Sequence, residues 1–421
     1  MSNPRVLIVG ASIAGPTAAY WLAKAGAKVT IIERFPKLRT NGQNVDIRTV
    51  GVTVMRRMAG MEATVRSKMI PMEGVSFVNT NGQSYGTLGA TGNPDQQSLV
   101  SEYEIFRGDL SQILFDMTKD NENITYIFGE QVTSIRQQEK GDGPVTVEFA
   151  NGLPPSEFDL VVACDGGNSR TRAIGLGCAV RDHITPANCW AAYFSIKQDL
   201  LKGTKLGHAY NAPGGRFIGI ATDSPGVTRI AAMNFHPPDN PDATLPFREA
   251  LKQGDDALKK YIANHFKGCG WICDELSKEI MEAQNFYASE IVQVKVPSIY
   301  KGRFVLVGDA GYAPGPTGTG TSLAMAGAYV LAGEVGKHKG DLAAALRGYE
   351  EQMRPIINDM QKIPRFFLTV LAPQTAWGIW LRNIIFAFIT LTRLLAFVQK
   401  LSAGAFSSTD KHNLPDYDWV S

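Results

Sequence analysis

Three short clusters in this chain carry residue types suited to holding a phosphorylated ligand. In the first, Gly10, Ala11, Ser12, Ile13, Ala14 and Gly15 follow the apolar run Val6 to Val9. Glycine at the first position permits a tight turn, a small residue at the third lets a pyrophosphate approach the backbone, and Gly15 lets a helix pack closely. The N–H groups at the start of that helix offer a positive dipole end to phosphate. Glu33 closes the next apolar run, 23 residues after Gly10, where a carboxylate can accept both hydroxyls of a ribose. Ser12 stands where a glycine is usual. The second cluster, Asp165-Gly166 with Ser169 and Arg172, and the third, Gly308-Asp309, each follow a short apolar run; Pro314, Pro316, Gly318, Gly320, Thr321 and Ser322 follow Asp309.

Periodicity supplies the elements that must position these clusters. Val6 to Val9, Thr17 to Ala25 and Val29 to Ile32 read as strand, helix and strand. Residues 34 to 49 lose periodicity, which suits an irregular segment lying over a ligand. Helices are expected from Val50 to Met58 and from Arg107 to Met117, and strands at Thr125 to Phe128 and Val145 to Phe149. Phe158 to Cys164 and Arg303 to Val307 read as buried strands, and a long small-residue helix should run from Ser322 to Val335. Between Cys178 and Glu290, Pro and Gly breaks around apolar stretches suggest sheet, with one helix from Leu245 to Phe266.

Composition removes several function classes. The 421 residues are enough for two or three domains, and 42 Lys plus Arg against 40 Asp plus Glu leave a net charge of +2, with no basic excess for nucleic acid. The cysteines Cys164, Cys178, Cys189, Cys269 and Cys273 are an odd, scattered set, which points to a reducing, cytoplasmic setting. The histidines never cluster at metal-ligand spacing, so no metal is expected. No Gly-x-Ser-x-Gly elbow offers a hydrolase nucleophile. Phe366 to Leu381 and the run from Asn383 to Thr392 carry no charge, but each is shorter than the ~18 to 20 residues of a membrane span. The stretch 366 to 401 is expected to be a helical element packed across two domains, with a membrane-surface or partner contact as the alternative.

Taken in order over about 330 residues, the Gly10–Gly15 turn, Glu33, the Asp165-Gly166 motif and the Gly308-Asp309 motif resemble the flavoprotein aromatic hydroxylases. These are single-component FAD-dependent monooxygenases that include tetracycline-inactivating enzymes. The resemblance implies an α/β fold with a discontinuous Rossmann-like FAD-binding domain (1–73, 102–177 and 291–358). A mainly antiparallel-sheet substrate domain (74–101 and 178–290) and a C-terminal helical region (359–421) complete it. It implies FAD contacts from Gly10, Ser12, Ile13, Ala14, Gly15, Glu33, Arg34, Arg107, Asp165, Gly166, Asp309, Pro316, Gly318, Gly320, Thr321 and Ser322. Ser169 and Arg172 belong to the Asp-Gly motif that in the family serves FAD and the nicotinamide cofactor. Gly318 and Gly320, ahead of a helix, aim N–H groups at the charge of reduced flavin. Three positions depart from the family pattern: Tyr312 replaces a common histidine, Ser322 a common asparagine, and Ala326-Gly327 an acidic pair.

The implied activity is NADPH- or NADH-driven insertion of one oxygen atom from O2 into a mostly apolar secondary metabolite, by hydroxylation or epoxidation through a flavin C4a-hydroperoxide. The nicotinamide cofactor binds transiently, because no second nucleotide turn follows a strand and opens a helix. No side chain is obliged to be catalytic, since the cofactor carries the hard step. Arg48, Tyr193, Tyr210, Arg216 and His236 are candidate pocket residues, and Trp190 and Phe194 candidate core. A non-oxygenating flavin reductase or dehydrogenase, or a nucleotide-binding scaffold without turnover, are the alternatives.

Overall fold

The apolar runs ahead of the glycine turns form the centre of a six-stranded sheet in the computed structural model. It describes residues 3–39, 42–69, 72–89, 103–138, 143–224, 226–237, 239–240, 242–363, 367–392 and 412–420. The strand order is Tyr300–Lys301, Phe304–Leu306, Leu160–Ala163, Arg5–Val9, Lys28–Glu33 and Ile124–Phe128. All neighbours are parallel except the first pair. Val9 lies opposite Ala163 and Ile32, and Ala163 opposite Leu306. Val6–Val9, Leu160–Ala163 and Phe304–Leu306, at the centre, read as unbroken apolar runs because both faces are buried.

One layer over this sheet centres on the helix Gly320–Lys337, buried from Thr321 to Val335. Its small residues let neighbours come close: it packs on Ala14–Lys24, Val50–Arg57 and Leu342–Met360. A Cβ at Gly327 would collide with the Tyr312 hydroxyl, and one at Gly333 with the Tyr417 ring. Tyr312 itself is buried and bonded to the Tyr349 hydroxyl (3.0 Å), so the residue replacing a histidine serves the core.

A second sheet has seven strands in the order Tyr287–Val294, Ile184–Ile196, Val227–Phe235, Arg216–Ser224, Leu206–Ala212, Gly74–Val78 and Ser84–Gly89. It is antiparallel except between Leu206–Ala212 and Gly74–Val78. Trp190, Phe194, Ile218 and Ile230 point to one face, where three helices bury Phe247, Leu258, Phe266 and Leu276 against them. Tyr193, Ala231 and Tyr287 share the other face, as the period of two requires. An isolated bridge from Gln293 to Pro314 joins this sheet to the segment after Asp309.

Several expectations shift at this level. The helix expected over Leu245 to Phe266 is two, Leu245–Lys252 and Asp255–Phe266. Gly254, at φ +100, takes a conformation that ends one and starts the next. The segment expected to be irregular contains a short strand, Asn44–Asp46, paired with Glu104–Phe106. The long small-residue helix begins at Gly320, two residues before its expected start. In the C-terminal region, helices occupy Phe367–Leu371 and Ala376–Leu391, while 412–420 is non-helical and lies across the first layer, with Trp419 against Trp21 and Tyr329. Residue 366 and residues 393–401 of the 366–401 stretch, and 90–102 of the expected substrate domain and its border, lie outside the described residues.

Arg172 ties two of the glycine turns together. Fully buried, it donates to the carbonyls of Gly167 (2.9 Å), Ala310 (2.9 Å) and Val180 (2.7 Å). Replacing it by Met leaves three carbonyls without their charged donor, a loss of about 3 kcal/mol. The Arg172→Met variant is expected to melt several degrees below the wild type in calorimetry; an unchanged transition contradicts the bracing role.

Candidate functional site

Parallel pairing brings the carboxyl ends of Arg5–Val9, Leu160–Ala163 and Phe304–Leu306 side by side, so the three glycine turns meet at one sheet edge. In open α/β sheets this edge is where ligands bind. Gly10 has φ +111, and a Cβ there would lie 2.6 Å from the Cys164 carbonyl oxygen and 3.2 Å from Asp165 Cα. A Cβ at Gly15 would overlap the Gly10 carbonyl, and one at Gly308 would lie 3.0 Å from Ala14 Cβ. Ser12 sits within this turn, its hydroxyl 3.3 Å from that of Ser111. The helix Ala14–Lys24 begins at Ile13 with no capping side chain and no acid in its first turn, leaving its N–H groups for an anion.

Charged groups surround the turn with the signs a dinucleotide needs. Glu33 accepts from the N–H of Ala11 (3.0 Å) and of Phe35 (3.2 Å), which fixes its carboxylate beside the glycine turn. Arg34 and Arg39 both stack on the Phe35 ring, at 4.8 Å and 4.7 Å. Burial, and then Arg107, lower the pKa of Arg39, which remains a cation. Arg107 opens the helix Arg107–Asp116, and its side chain runs 3.2 Å from where a Gly42 Cβ would stand. Asp309 opens onto the cleft; the surrounding protein raises its carboxyl pKa, and Arg107 opposes that rise. Its Oδ1 lies 3.4 Å from a Cβ built on Gly320, so it faces the start of the long helix.

That start is the second N–H cradle. Gly318, at φ +74, precedes the helix Gly320–Lys337, which has no capping side chain and no acid in its first turn. Pro316 is half-buried in the approach, and Thr321 and Ser322 are buried in the first turn. The Arg48 N–H donates to Ser322 Oγ (2.9 Å), and the Arg48 guanidinium donates twice to Asp46 Oδ2 (3.1 and 2.9 Å). Asp46 in turn lies 3.6 Å from a Cβ built on Gly318. Gln43 Oε1, Asn44 Oδ1 and Thr49 Oγ1 in this segment are buried with no hydrogen-bond partner, and Thr49 is a β-branched residue at φ +45. Unpaired buried acceptors and a strained backbone mark a segment shaped for a ligand. The glycine cradles, uncapped helix starts, cationic cluster and unpaired polar atoms fit FAD extended from Glu33 to Gly318.

The Asp-Gly motif divides. Asp165 and Gly166 lie beside Gly10, but the Asp165 carboxylate accepts from Ser169 Oγ and from Thr171 N–H (3.2 Å) and Oγ1 (2.9 Å). The surrounding protein raises its pKa and these bonds oppose the rise. Ser169 and Arg172, expected to serve the cofactors, are fully buried behind the turn as cap and brace.

The pocket candidates divide as well. Tyr193 is on the sheet face toward the cofactor side, its pKa raised by burial and by Cys189, Tyr287 and Asp46. Tyr210 and Arg216 are corrections: alternation places them on the helix-covered face. There Tyr210 donates to the Cys269 carbonyl (2.6 Å), and Arg216 reaches the His265 carbonyl (3.1 Å) and Cys269 Sγ (2.9 Å). His236 contacts Asn234, which also accepts from His265, and so joins that same far-side network. Trp190 and Phe194 are core, as expected.

Sequence reading missed Arg39, Glu104 and Arg229. Arg229 donates to the Gly42 carbonyl (3.1 Å) and lies over the Phe106 ring at 3.5 Å, joining the second sheet to the irregular segment. Glu104 sits opposite Asp46 in the short ladder, accepts from Asn44 Nδ2 (2.7 Å), and has its pKa raised to about 7, first by burial and then by Asp46. Its position three residues before Arg107 was the available signal. Among the described residues no group of three His, Cys, Asp or Glu could hold a metal ion. Because the folded pKa of Glu104 is raised, its stabilising share is complete below the unfolded value of 4.5 and is lost as pH rises to about 7. Glu104→Gln is therefore expected to gain stability relative to wild type between pH 5 and pH 8, on the order of 2 kcal/mol; parallel melting curves at both pH values contradict this.

Comparison with known proteins agrees with the geometry. Residues 3–362 match the family described as FAD binding domain. The FAD-dependent monooxygenase asL4 of Sarocladium schorii is 34% identical over 418 residues, 94% of each chain. Monooxygenase CTB7 of Cercospora beticola is 32% identical over 433 residues, covering 99% of this chain and 98% of its own. Among solved structures, tetracycline destructase Tet(55) superposes with TM-score 0.74 at 28% identity, covering 99% of both chains. Klebsiella pneumoniae HpxO complexed with FAD and uric acid shares the fold, with TM-score 0.70 at 21% identity over 94% of this chain and 96% of its own. With cradle, acids and sheet edge in place, the chain belongs to the FAD-binding-domain family and is a FAD-dependent monooxygenase of the aromatic hydroxylase type.

Proposed function

We propose that the protein uses NADPH, or NADH, and O2 to hydroxylate or epoxidise a mostly apolar ring-containing secondary metabolite. The observation that carries this reading is the meeting of the three glycine turns at one sheet edge, opposite the sheet face that bears Tyr193, Ala231 and Tyr287. Phe217, Met233 and Ile291 extend that lining with apolar surface toward Leu368 and Leu371. Such a wall favours an apolar ligand over a charged one. Similarity to the tetracycline destructases Tet(51) and Tet(55), named for a fused-ring molecule, supports a ring-system substrate.

When bound, FAD supplies electron transfer from the nicotinamide cofactor and activation of oxygen. The chain's own residues position and enclose it. Ser12, Ile13, Ala14 and Gly15 hold the pyrophosphate by backbone N–H groups at the turn that Gly10 permits, Glu33 and Arg34 the adenosine end, and Arg107 and Asp309 the middle. Pro316, Gly318, Gly320, Thr321 and Ser322 present the second N–H cradle to the ring edge, with Asp165 and Gly166 flanking the first turn. Arg48, held by Asp46 and Ser322, sets a cation beside Gly318. Tyr193 keeps its proton at neutral pH and offers a hydroxyl donor to the substrate.

Asp309→Ala removes the carboxylate acceptor from the cofactor cleft, and FAD binding is expected to weaken by about 10- to 100-fold. Arg107→Ala should weaken it less, because backbone donors remain. Flavin-to-protein absorbance ratios on variants that melt like the wild type measure both; full flavin content in both contradicts the assignment. The reaction is tested by anaerobic reduction with NADPH, then admission of 18O2 with a panel of fused-ring substrates. Label in the product is expected, whereas NADPH oxidation independent of O2 identifies a reductase instead.

A further inference from the structure

The helix Ala376–Leu391 has an inner and an outer side of opposite character. Inward, Phe386 meets Phe77 edge-on at 5.2 Å, and a Cβ on Gly86 would lie 2.6 Å from Thr390 Oγ1. Arg382 donates to Asn211 Oδ1 (2.8 Å) and to the Val370 carbonyl (3.1 Å). These contacts seat the helix on the second sheet. Outward it presents Trp377, Trp380, Ile384, Ile385, Phe388 and Leu391, exposed by 68, 54, 43, 50, 61 and 83%. The spacing of 377, 380, 384, 388 and 391 places them in one stripe. A contiguous stripe of this size marks an interaction surface.

Charge selects the occupant. Between Asp359 and Asp410 the sequence holds no acidic residue and five basic ones, Lys362, Arg365, Arg382, Arg393 and Lys400. Arg382 is turned inward and Lys362 pairs with Asp359, so the positive charge is a property of the stretch as a whole; a second copy would double that net charge, whereas an anionic lipid surface is drawn to it. Exposed tryptophans at both ends of the first turn suit the headgroup layer, where an indole keeps its apolar ring in lipid and its N–H in water. Among the described residues no helix is long and apolar enough to cross a membrane, which fits a helix lying in the surface plane. We infer that the outer face of Ala376–Leu391 docks the protein reversibly on anionic membrane surfaces.

The test is sedimentation of the FAD-loaded protein with vesicles of phosphatidylcholine alone or mixed with phosphatidylglycerol, with tryptophan emission as a second readout. Binding with a blue shift is expected with phosphatidylglycerol, falling as salt is raised. Trp377→Ser with Trp380→Ser should lower the partition coefficient at least about tenfold while melting temperature and flavin content stay at wild-type values. Phe388→Ser with Leu391→Ser is the second pair, should the first fail to fold. Failure of the intact holoenzyme to bind phosphatidylglycerol vesicles overturns the inference. So does a concentration-dependent dimer, seen by light scattering, that the serine substitutions dissolve.

Discussion

Parallel pairing in register of Arg5–Val9 with Leu160–Ala163, and of the latter with Phe304–Leu306, is the constraint on which the rest depends. Because the three strands end level, Gly10, Asp165 and Asp309, each from a distant part of the chain, come to one edge. The approach is so close that no side chain fits at Gly10 or Gly15. What the uncapped start of the following helix leaves there is backbone N–H, the donor that a pyrophosphate needs and that costs no side-chain entropy to present. Arg172 locks the arrangement from behind by spending its charged donors on carbonyls of both flanking turns.

The second sheet contributes by having two unlike faces. One is sealed by three helices over Trp190, Phe194 and Ile230, and this burial pins the strand register. With register pinned, alternation sends Tyr193 and Tyr287 to the other side, toward Asp46. Arg229 and the Gln293–Pro314 bridge hold that side against the cofactor-binding layer. The cleft is thus formed between two sheets, and the Gln43–Thr49 segment between them carries three unpaired buried polar atoms and the positive φ of Thr49.

The legible parts of the site were those in which one local pattern has one physical use. Gly10 to Gly15 and Glu33 could be read because a strand, a glycine turn and a helix leave few alternatives. Asp309 and Gly318 could be read because they follow a buried strand and precede an uncapped helix. Tyr210 and Arg216 were misplaced because a polar residue in a strand faces one side or the other according to register, which pairing sets. Ser169 and Arg172 carry the right residue types beside Asp165, yet a capping hydroxyl and a bracing guanidinium look the same in sequence as ligands. Glu104 escaped notice because its raised pKa exists only opposite Asp46 across a ladder.

The sequence by itself determined the chemistry of the turns, the apolar strands that bear them and the absence of acid around the C-terminal helix, since these depend on residue type and short spacing. Tertiary structure alone decided which face of the second sheet meets the cleft and which side chains brace rather than bind. It also decided that the stripe from Trp377 to Leu391 points outward. Each of those depends on the pairing of segments far apart in the chain, where burial fixes one register among several that local pattern allows.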